Sequence, residues 1–299
     1  MKAAGEVSHS GFVAVVGRPN VGKSTLVNSM VGQKVAITSD KPQTTRHRIA
    51  GIVNRDDSQL VLLDLPGFQR PRDLLTERMQ QAVDSTLGEV DLILLVMSAD
   101  EPTGGGDRLV AGRVFAAGTP VIIAVNKIDL VREEKLLPAM DAAAGMGDFE
   151  ELFPVSALTG KGIEHLEDAI IERLLPGPRY FPEDMVSDQP ERILVGELVR
   201  EQALRLTREE VPHSVAVEVL SMDRRGGSGI VDIAGTVIVE RKSQKGILIG
   251  RQGSMIKEIG TGARKEIEAL LGSRVFLDLS VKVRKRWRDD PRRLGDLGL

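Results

Sequence analysis

An α/β domain with a mostly parallel sheet, followed by a smaller α+β domain, is the fold class this sequence predicts, and three observations predict it. From Gly11 to Leu174, short β-branched runs alternate with helix-like stretches, the pattern of a parallel sheet covered on both faces. Residues 176–190, PGPRYFPEDMVSDQP, hold four prolines and no sustained periodicity, which reads as an extended linker. Beyond it the element order becomes α-β-β-α-α-β. The expected domains are therefore 1–178 and 191–299, with 179–190 as the linker.

In the first domain the expected strands are FVAVVG, RIAGIVN, SQLVLLD, DLILLVMSA, TPVIIAV and FPVSAL. KSTLVNSMVG reads as the helix after the first of them. Only Arg55-Asp56-Asp57 separates the second and third, too short for a crossover helix, so these two form an antiparallel hairpin at one edge. Ile163, Leu166, Ile170 and Leu174 recur at helical spacing and end at Pro176-Gly177-Pro178, which closes the domain with a helix. The second domain opens with a helix in ERILVGELVREQALRLT, continues through strands SVAVEVLSM and VDIAGTVIVER, and passes two helical stretches in GILIGRQGSMIKEIGTGARKEIEALLG. It ends on the strand RVFLDLSVKVRKRW.

With 299 residues, 41% of them hydrophobic and 28% charged, each half has enough chain for its own core. The absence of cysteine removes disulfides and thiolate metal sites, and the four histidines are scattered, so a metal cluster is not expected. MKAAGEVSHSG lacks the pattern of a signal, and the longest apolar runs fall well short of the roughly 20 residues that span a bilayer. The expectation is a cytoplasmic protein without a transmembrane segment. Its net charge of −3 hides an asymmetry: 19 basic against 27 acidic residues over 1–190 (net −8), and 21 against 16 over 191–299 (net +5). Only the second half is suited to meeting nucleic-acid phosphates.

Gly17-Arg18-Pro19-Asn20-Val21-Gly22-Lys23-Ser24, followed by Thr25, matches G-x-x-x-x-G-K-[ST] between a strand and a helix. Such a loop closes its N–H groups around phosphate oxygens, aided by the positive end of the helix dipole. Lys23 would reach the β and γ phosphates, and Ser24 would hold Mg²⁺. Asp64-Leu65-Pro66-Gly67 follows a buried strand, with Asp64 on the metal side and the Gly67 N–H sensing the γ-phosphate. Between them, PQTTRHR offers Thr44 and Thr45 as the threonine that closes over Mg²⁺, and the sequence leaves both open. Asn126-Lys127-Ile128-Asp129 ends a strand, where Asp129 can accept from guanine N1–H and the 2-amino group, a donor pair that adenine lacks. Ser156-Ala157 would support the guanine carbonyl from the backbone. The ligands implied are GTP and GDP with Mg²⁺.

The ordered set GRPNVGKST, PQTTRHR, DLPG, NKID and SALTGKG resembles the TrmE–Era–EngA group of translation-factor-related GTPases. Many relatives carry threonine where Leu65 stands. In the second half, Gly250-Arg251-Gln252-Gly253 lies between two helical stretches, where missing Cβ atoms let a nucleic-acid backbone pass close. A KH module clamps about four nucleotides with such a loop, and Arg251 and Lys257 would meet phosphates. The frame is that of the type II KH topology, which narrows the resemblance to the bacterial Era family over nearly the whole chain. That resemblance implies binding to 16S ribosomal RNA near its 3′ end, a role in 30S subunit maturation, and peripheral contact with the inner face of the cell membrane.

Two questions stay open at this level. Trp287, in the basic tail VKVRKRWRDDPRR, either stacks on an unpaired base or packs against the sheet. DLPGFQR places Phe68 where many such switches carry a water-orienting glutamine, and Gln69 stands one residue late. Slow turnover is expected in consequence, and the resemblance implies that Asn20 would help bind a K⁺ beside the β and γ phosphates.

Overall fold

The computed structural model describes residues 9–68, 70–209, 211–226 and 229–299. Spatial proximity divides the chain into two compact units: Met1–Thr38, Thr45–Arg70 and Met79–Asp188 form the first, and Ser39–Thr44, Pro71–Arg78 and Gln189–Leu299 the second.

The first half runs β1 (His9–Val16), α1 (Lys23–Val31), β2 (Ile49–Asn54), β3 (Ser58–Asp64), α2 (Leu74–Leu87), β4 (Leu92–Ser98), α3 (Gly105–Ala116), β5 (Val121–Asn126), α4 (Glu133–Ala144), β6 (Glu151–Pro154) and α5 (Ile163–Ile171). Among the described residues the strands make one six-stranded sheet in the order β2-β3-β1-β4-β5-β6, with β2 antiparallel to β3 and every other pair parallel. Successive side chains on a strand point to opposite faces. Val13 and Val15 accordingly join Leu26, Val27, Leu166 and Ile170 of α1 and α5, while Ala14 and Val16 join Val83, Val110 and Val114 of α2 and α3. A strand between two helical layers has no polar face, which is why these runs read as unbroken apolar sequence. The strand order reverses at β1, and in such sheets a crevice opens there at the carboxyl ends of the strands.

Residues 176–188, assigned from sequence to the domain end and the linker, run along the sheet's own edge with one turn at Pro182–Met185. The Gln59 side chain, wholly buried in β3, accepts from Tyr180 and Phe181 N–H (2.7 and 3.0 Å) and donates to the Phe181 carbonyl (2.9 Å). Asn54 donates to the Glu183 and Met185 carbonyls, Ile52 N–H donates to Val186, and Ala50 N–H donates to the Asp188 carboxylate at 3.1 Å. The prolines that break periodicity here leave the chain free to follow β2, the outermost strand.

The second unit contains α6 (Glu191–Leu206), α7 (Val211–Ser214), β7 (Ala216–Arg224), β8 (Val231–Val239), α8 (Lys242–Ile249), α9 (Ser254–Leu271), β9 (Val275–Val283) and α10 (Pro291–Asp296). Short helices α7 and α10 add to the expected order. The sheet β7-β8-β9 is mixed, antiparallel between β7 and β8 and parallel between β8 and β9. Ile259, Ala263 and Ile267 recur every four residues on α9 and are fully buried, as are Val195 of α6 and Val237 of β8. Phe276, Asp278, Ser280 and Lys282 of β9 alternate with the inward residues and are exposed. Trp287 is only 1% exposed, and its Nε1–H donates to the Ser214 carbonyl at 2.9 Å. The stacking alternative is overturned: an enclosed indole has no face to offer a base, and the ring is a core residue although the neighbouring Arg286 is exposed.

Candidate functional site

At the β1 carboxyl end the chain turns through Gly17–Gly22 into α1. Gly22 takes φ +97, and a Cβ there would lie 2.3 Å from Asn126 Nδ2. At Gly17 a Cβ would lie 2.4 Å from the Val96 carbonyl. Glycine is the residue that lets this loop approach β4 and β5 so closely. Asn20 sits exposed at φ +66, and Val21 is core. Gly22, Lys23, Ser24 and Thr25 open α1, where the first N–H groups of a helix lack helical partners and can serve as anion donors. Lys23 is buried, and its ammonium donates to the Gly17 and Arg18 carbonyls at 3.2 and 3.1 Å. Burial pulls its pKa down to about 8, against the upward pull of Asp64. Arg18 is paired with Glu101 at 2.7 Å and with Asp107 at 2.9 Å.

Three oxygen-bearing side chains meet beside this lysine. Ser24 Oγ donates to Asp64 Oδ2 at 2.6 Å, and the Thr45 hydroxyl lies 2.8 Å from Ser24 Oγ and 3.2 Å from Asp64 Oδ2. Asp64 is fully buried, and its Oδ1 has no hydrogen-bond partner among the described residues. Burial pushes this carboxyl up, with Lys23, Ser24 and Thr45 acting in the other direction. A buried carboxylate with a spare oxygen beside two hydroxyls is a hard-oxygen donor set, of the kind that suits Mg²⁺. Thr44 lies outside the cluster, its hydroxyl donating to the Lys41 carbonyl at 2.6 Å.

Gly67 packs against the phosphate loop so tightly that a Cβ would lie 3.1 Å from Pro19 Cγ and 3.2 Å from Pro19 N. Leu65 and Pro66 are buried, Leu65 within the core, where an apolar side chain in place of threonine has a packing role. Phe68 is 6% exposed in that same core, with the Arg113 guanidinium 5.8 Å from its ring centre. Gln69 lies outside the described residues.

Asn126 is a brace. Its Nδ2 donates to the Val21 carbonyl and its Oδ1 accepts from Ala157 N–H, both at 2.9 Å, tying phosphate loop, β5 and the loop after β6 together. The motif had placed Asn126 at the nucleotide, and the role that sequence missed is this three-way tie. Lys127, at φ +66, pairs with Asp100 at 3.3 Å. The buried Ser156 hydroxyl donates to Asp129 Oδ1 at 2.6 Å, which holds an exposed carboxylate in one orientation.

In the second unit, α8 and α9 join through Gly250–Gly253. Gly250 has φ +72 with a Cβ position 2.8 Å from Met255 N, Gln252 has φ +51, and Gly253 has φ +80. Arg251, Gln252 and Lys257 are exposed. A cleft of about 330 Å³ lies between α9 and β9, with Lys257, Gly260 and Arg264 on one wall and Phe276, Leu277 and Leu279 on the other. Arg264 and Phe276 escaped the sequence reading, although Lys257 and Arg264 lie seven residues apart on one helix face.

Comparison with known proteins covers both halves of the chain. Residues 12–127 match the family described as 50S ribosome-binding GTPase, and residues 210–288 match the KH domain. An Aquifex aeolicus Era variant bound to GDP and AlF₄⁻ is 39% identical with a TM-score of 0.93, covering 97% of this chain and 99% of that one. Era in complex with MgGDPNP and nucleotides 1506–1542 of 16S ribosomal RNA matches with the same identity, TM-score and coverage.

Proposed function

This chain belongs to the Era family of GTPases, and on that premise we propose that it is a GTP-hydrolysing switch that binds 16S ribosomal RNA near its 3′ end and acts in 30S subunit maturation. The observation that carries the reading is the convergence of Lys23 with the Ser24, Thr45 and Asp64 oxygens, one of them a buried carboxylate oxygen without a partner among the described residues. A triphosphate and a divalent cation are the ligands complementary to that set.

The side chains divide the work. N–H groups of residues 20–25 take phosphate oxygens, and desolvated Lys23 places its charge against the β and γ phosphates. Ser24, Thr45 and Asp64 would hold Mg²⁺, which when bound neutralises charge on the phosphate oxygens. Thr45, of the two threonines, ties its loop to the γ-phosphate, and Gly67 N–H is the second sensor. Asp129, oriented by Ser156, accepts from guanine, and Asn126 acts as a positioning residue. Phe68 is buried and apolar, so intrinsic turnover is slow. We assign the missing charge to a K⁺ bound with help from Asn20, supported by that residue's exposed place on the phosphate loop.

Gly250–Gly253 takes the RNA backbone, with Arg251 and Lys257 on its phosphates. GTP orders the switch loops and the ordered state holds RNA; hydrolysis releases it. Among the described residues no helix is long and apolar enough to cross a membrane. Peripheral contact with the inner membrane face belongs to the same proposal, supported by the net +5 of residues 191–299.

Multiple-turnover phosphate release from GTP, run in K⁺ and in Na⁺ and paired with binding of a 16S 3′-end oligonucleotide, tests the reading. Steady release with RNA retention is the expected result. GTP held intact would reduce the first domain to a sensor and sink the hydrolytic reading, whereas equal rates in both salts would remove only the K⁺ assignment.

A further inference from the structure

Lys23 carries its charge at the end of a long side chain, and two backbone oxygens fix that end. An ammonium has three donors, and this one gives to the Gly17 and Arg18 carbonyls at 3.2 and 3.1 Å, so their placement decides where the charge sits. Gly17 is held by crowding, since a Cβ there would meet the Val96 carbonyl at 2.4 Å. Arg18 is held by its own side chain, which reaches the start of α3. In the motif G-x-x-x-x-G-K-[ST] this arginine occupies an unspecified position, and the motif gives its side chain no chemistry.

The Arg18 guanidinium makes two ion pairs of unequal weight. Its Nε donates to Asp107 Oδ1 at 2.9 Å, and the Asp107 side chain is only 5% exposed; its Nη1 lies 2.7 Å from Glu101 Oε2, on a side chain 47% exposed. A pair open to water contributes little, whereas breaking one with a buried partner leaves a charge without compensation. Asp107 is fixed in turn. Its Oδ2 accepts from Gly104 N–H at 2.9 Å and closes the first turn of α3. Contacts therefore run without a gap from α3 through Asp107 and Arg18 to a carbonyl that holds Lys23.

We propose that Arg18 is a positioning residue for phosphate transfer: anchored to Asp107, it sets the carbonyl that aims the Lys23 ammonium at the β and γ phosphates. The inference rests on the GTPase reading above and adds to it a side chain that acts through Lys23. A shift of about 1 Å in a group facing the reacting atoms can cost about a hundredfold, so partial slackening of this anchor is measurable.

Binding of N-methylanthraniloyl-GDP to the full chain, with GTP turnover measured alongside, tests it through paired substitutions. Arg18→Ala and Asp107→Asn are each expected to weaken GDP binding and slow turnover about tenfold. Asp107→Asn keeps an oxygen for Gly104 N–H and removes the charge. Glu101→Gln should cost about twofold, and Arg18→Lys, which keeps a cation for Asp107, should restore most of the loss. The Arg18 and Asp107 losses should not add to each other, and neither should deepen the loss in Lys23→Ala, because substitutions acting through one shared group are non-additive. Thermal melts give the folded fraction of each variant. An ion pair that only supports the fold would lower the melting temperature and leave the folded protein with parent affinity. That result, or an Arg18→Ala loss that multiplies with that of Lys23→Ala, overturns the assignment and leaves the GTPase reading standing. If the parent binds no GDP, the nucleotide reading falls and takes this inference with it.

Discussion

Lys23, Asp64 and Ser156 are almost wholly buried and fixed by neighbours before any nucleotide arrives, whereas Arg251, Gln252 and Lys257 stand in solvent. Both sites answer phosphate, yet they solve different problems. Breaking a phosphoanhydride needs charge placed in advance in a dry site, because stabilisation there is worth far more than in water. Holding single-stranded RNA needs many weak, accessible contacts that form and release together. The difference teaches that burial, more than residue type, separates the proposed phosphate-transfer site from the proposed RNA-binding one within this chain.

Substitutions probe that difference in order of effect. Lys23→Ala should lower GTP turnover about a thousandfold in phosphate-release assays, since it removes a desolvated cation from the phosphate loop. Preserved turnover would mean that burial there is only structural. Trp287→Ala should cost about 3–5 kcal/mol in denaturant unfolding. RNA affinity of the remaining folded fraction should stay at the parent level, and a selective loss of affinity would restore the stacking role. Thr45→Ala should weaken Mg²⁺-dependent turnover by about 10–100-fold, while Thr44→Ala stays near the parent; a Mg²⁺ titration of both variants distinguishes them. The smallest effect is expected at Lys257→Ala: a few-fold loss of RNA affinity and a fall of about 1 in the slope of log affinity against log salt. An unchanged slope would remove Lys257 from the phosphate contacts.

The nucleotide pocket was legible in the sequence because its chemistry dictates spacing. A phosphate loop needs its glycines, its lysine and a following helix, Asp64 ends β3, and Asp129 follows the end of β5. The sheet was equally legible, since strands buried on both faces cannot hide their composition. What the sequence withheld depends on distant partners. The choice between Thr44 and Thr45 turns on which hydroxyl reaches Ser24, 21 residues from Thr45 in sequence. Trp287 finds Ser214 across 73 residues. Arg225 and Phe276 meet only because β8 and β9 pair in register. Local pattern carries no trace of such meetings, and a tryptophan among arginines reads the same whether it is core or platform.

The segment laid along β2 bears on how this protein can be cut into pieces. β2 is the last strand of its sheet, and an outermost strand with free backbone groups invites pairing with another molecule. Residues 176–188 occupy that margin with bonds to Ala50, Ile52, Asn54 and Gln59. A fragment ending at Leu175 would leave the buried amide of Gln59 without Tyr180 and Phe181 and bare the strand. It is expected to precipitate, whereas one ending at Asp188 stays dispersed. Thirteen residues that look like spacer act as a selvedge, the finished border that keeps a woven sheet from fraying into its neighbours.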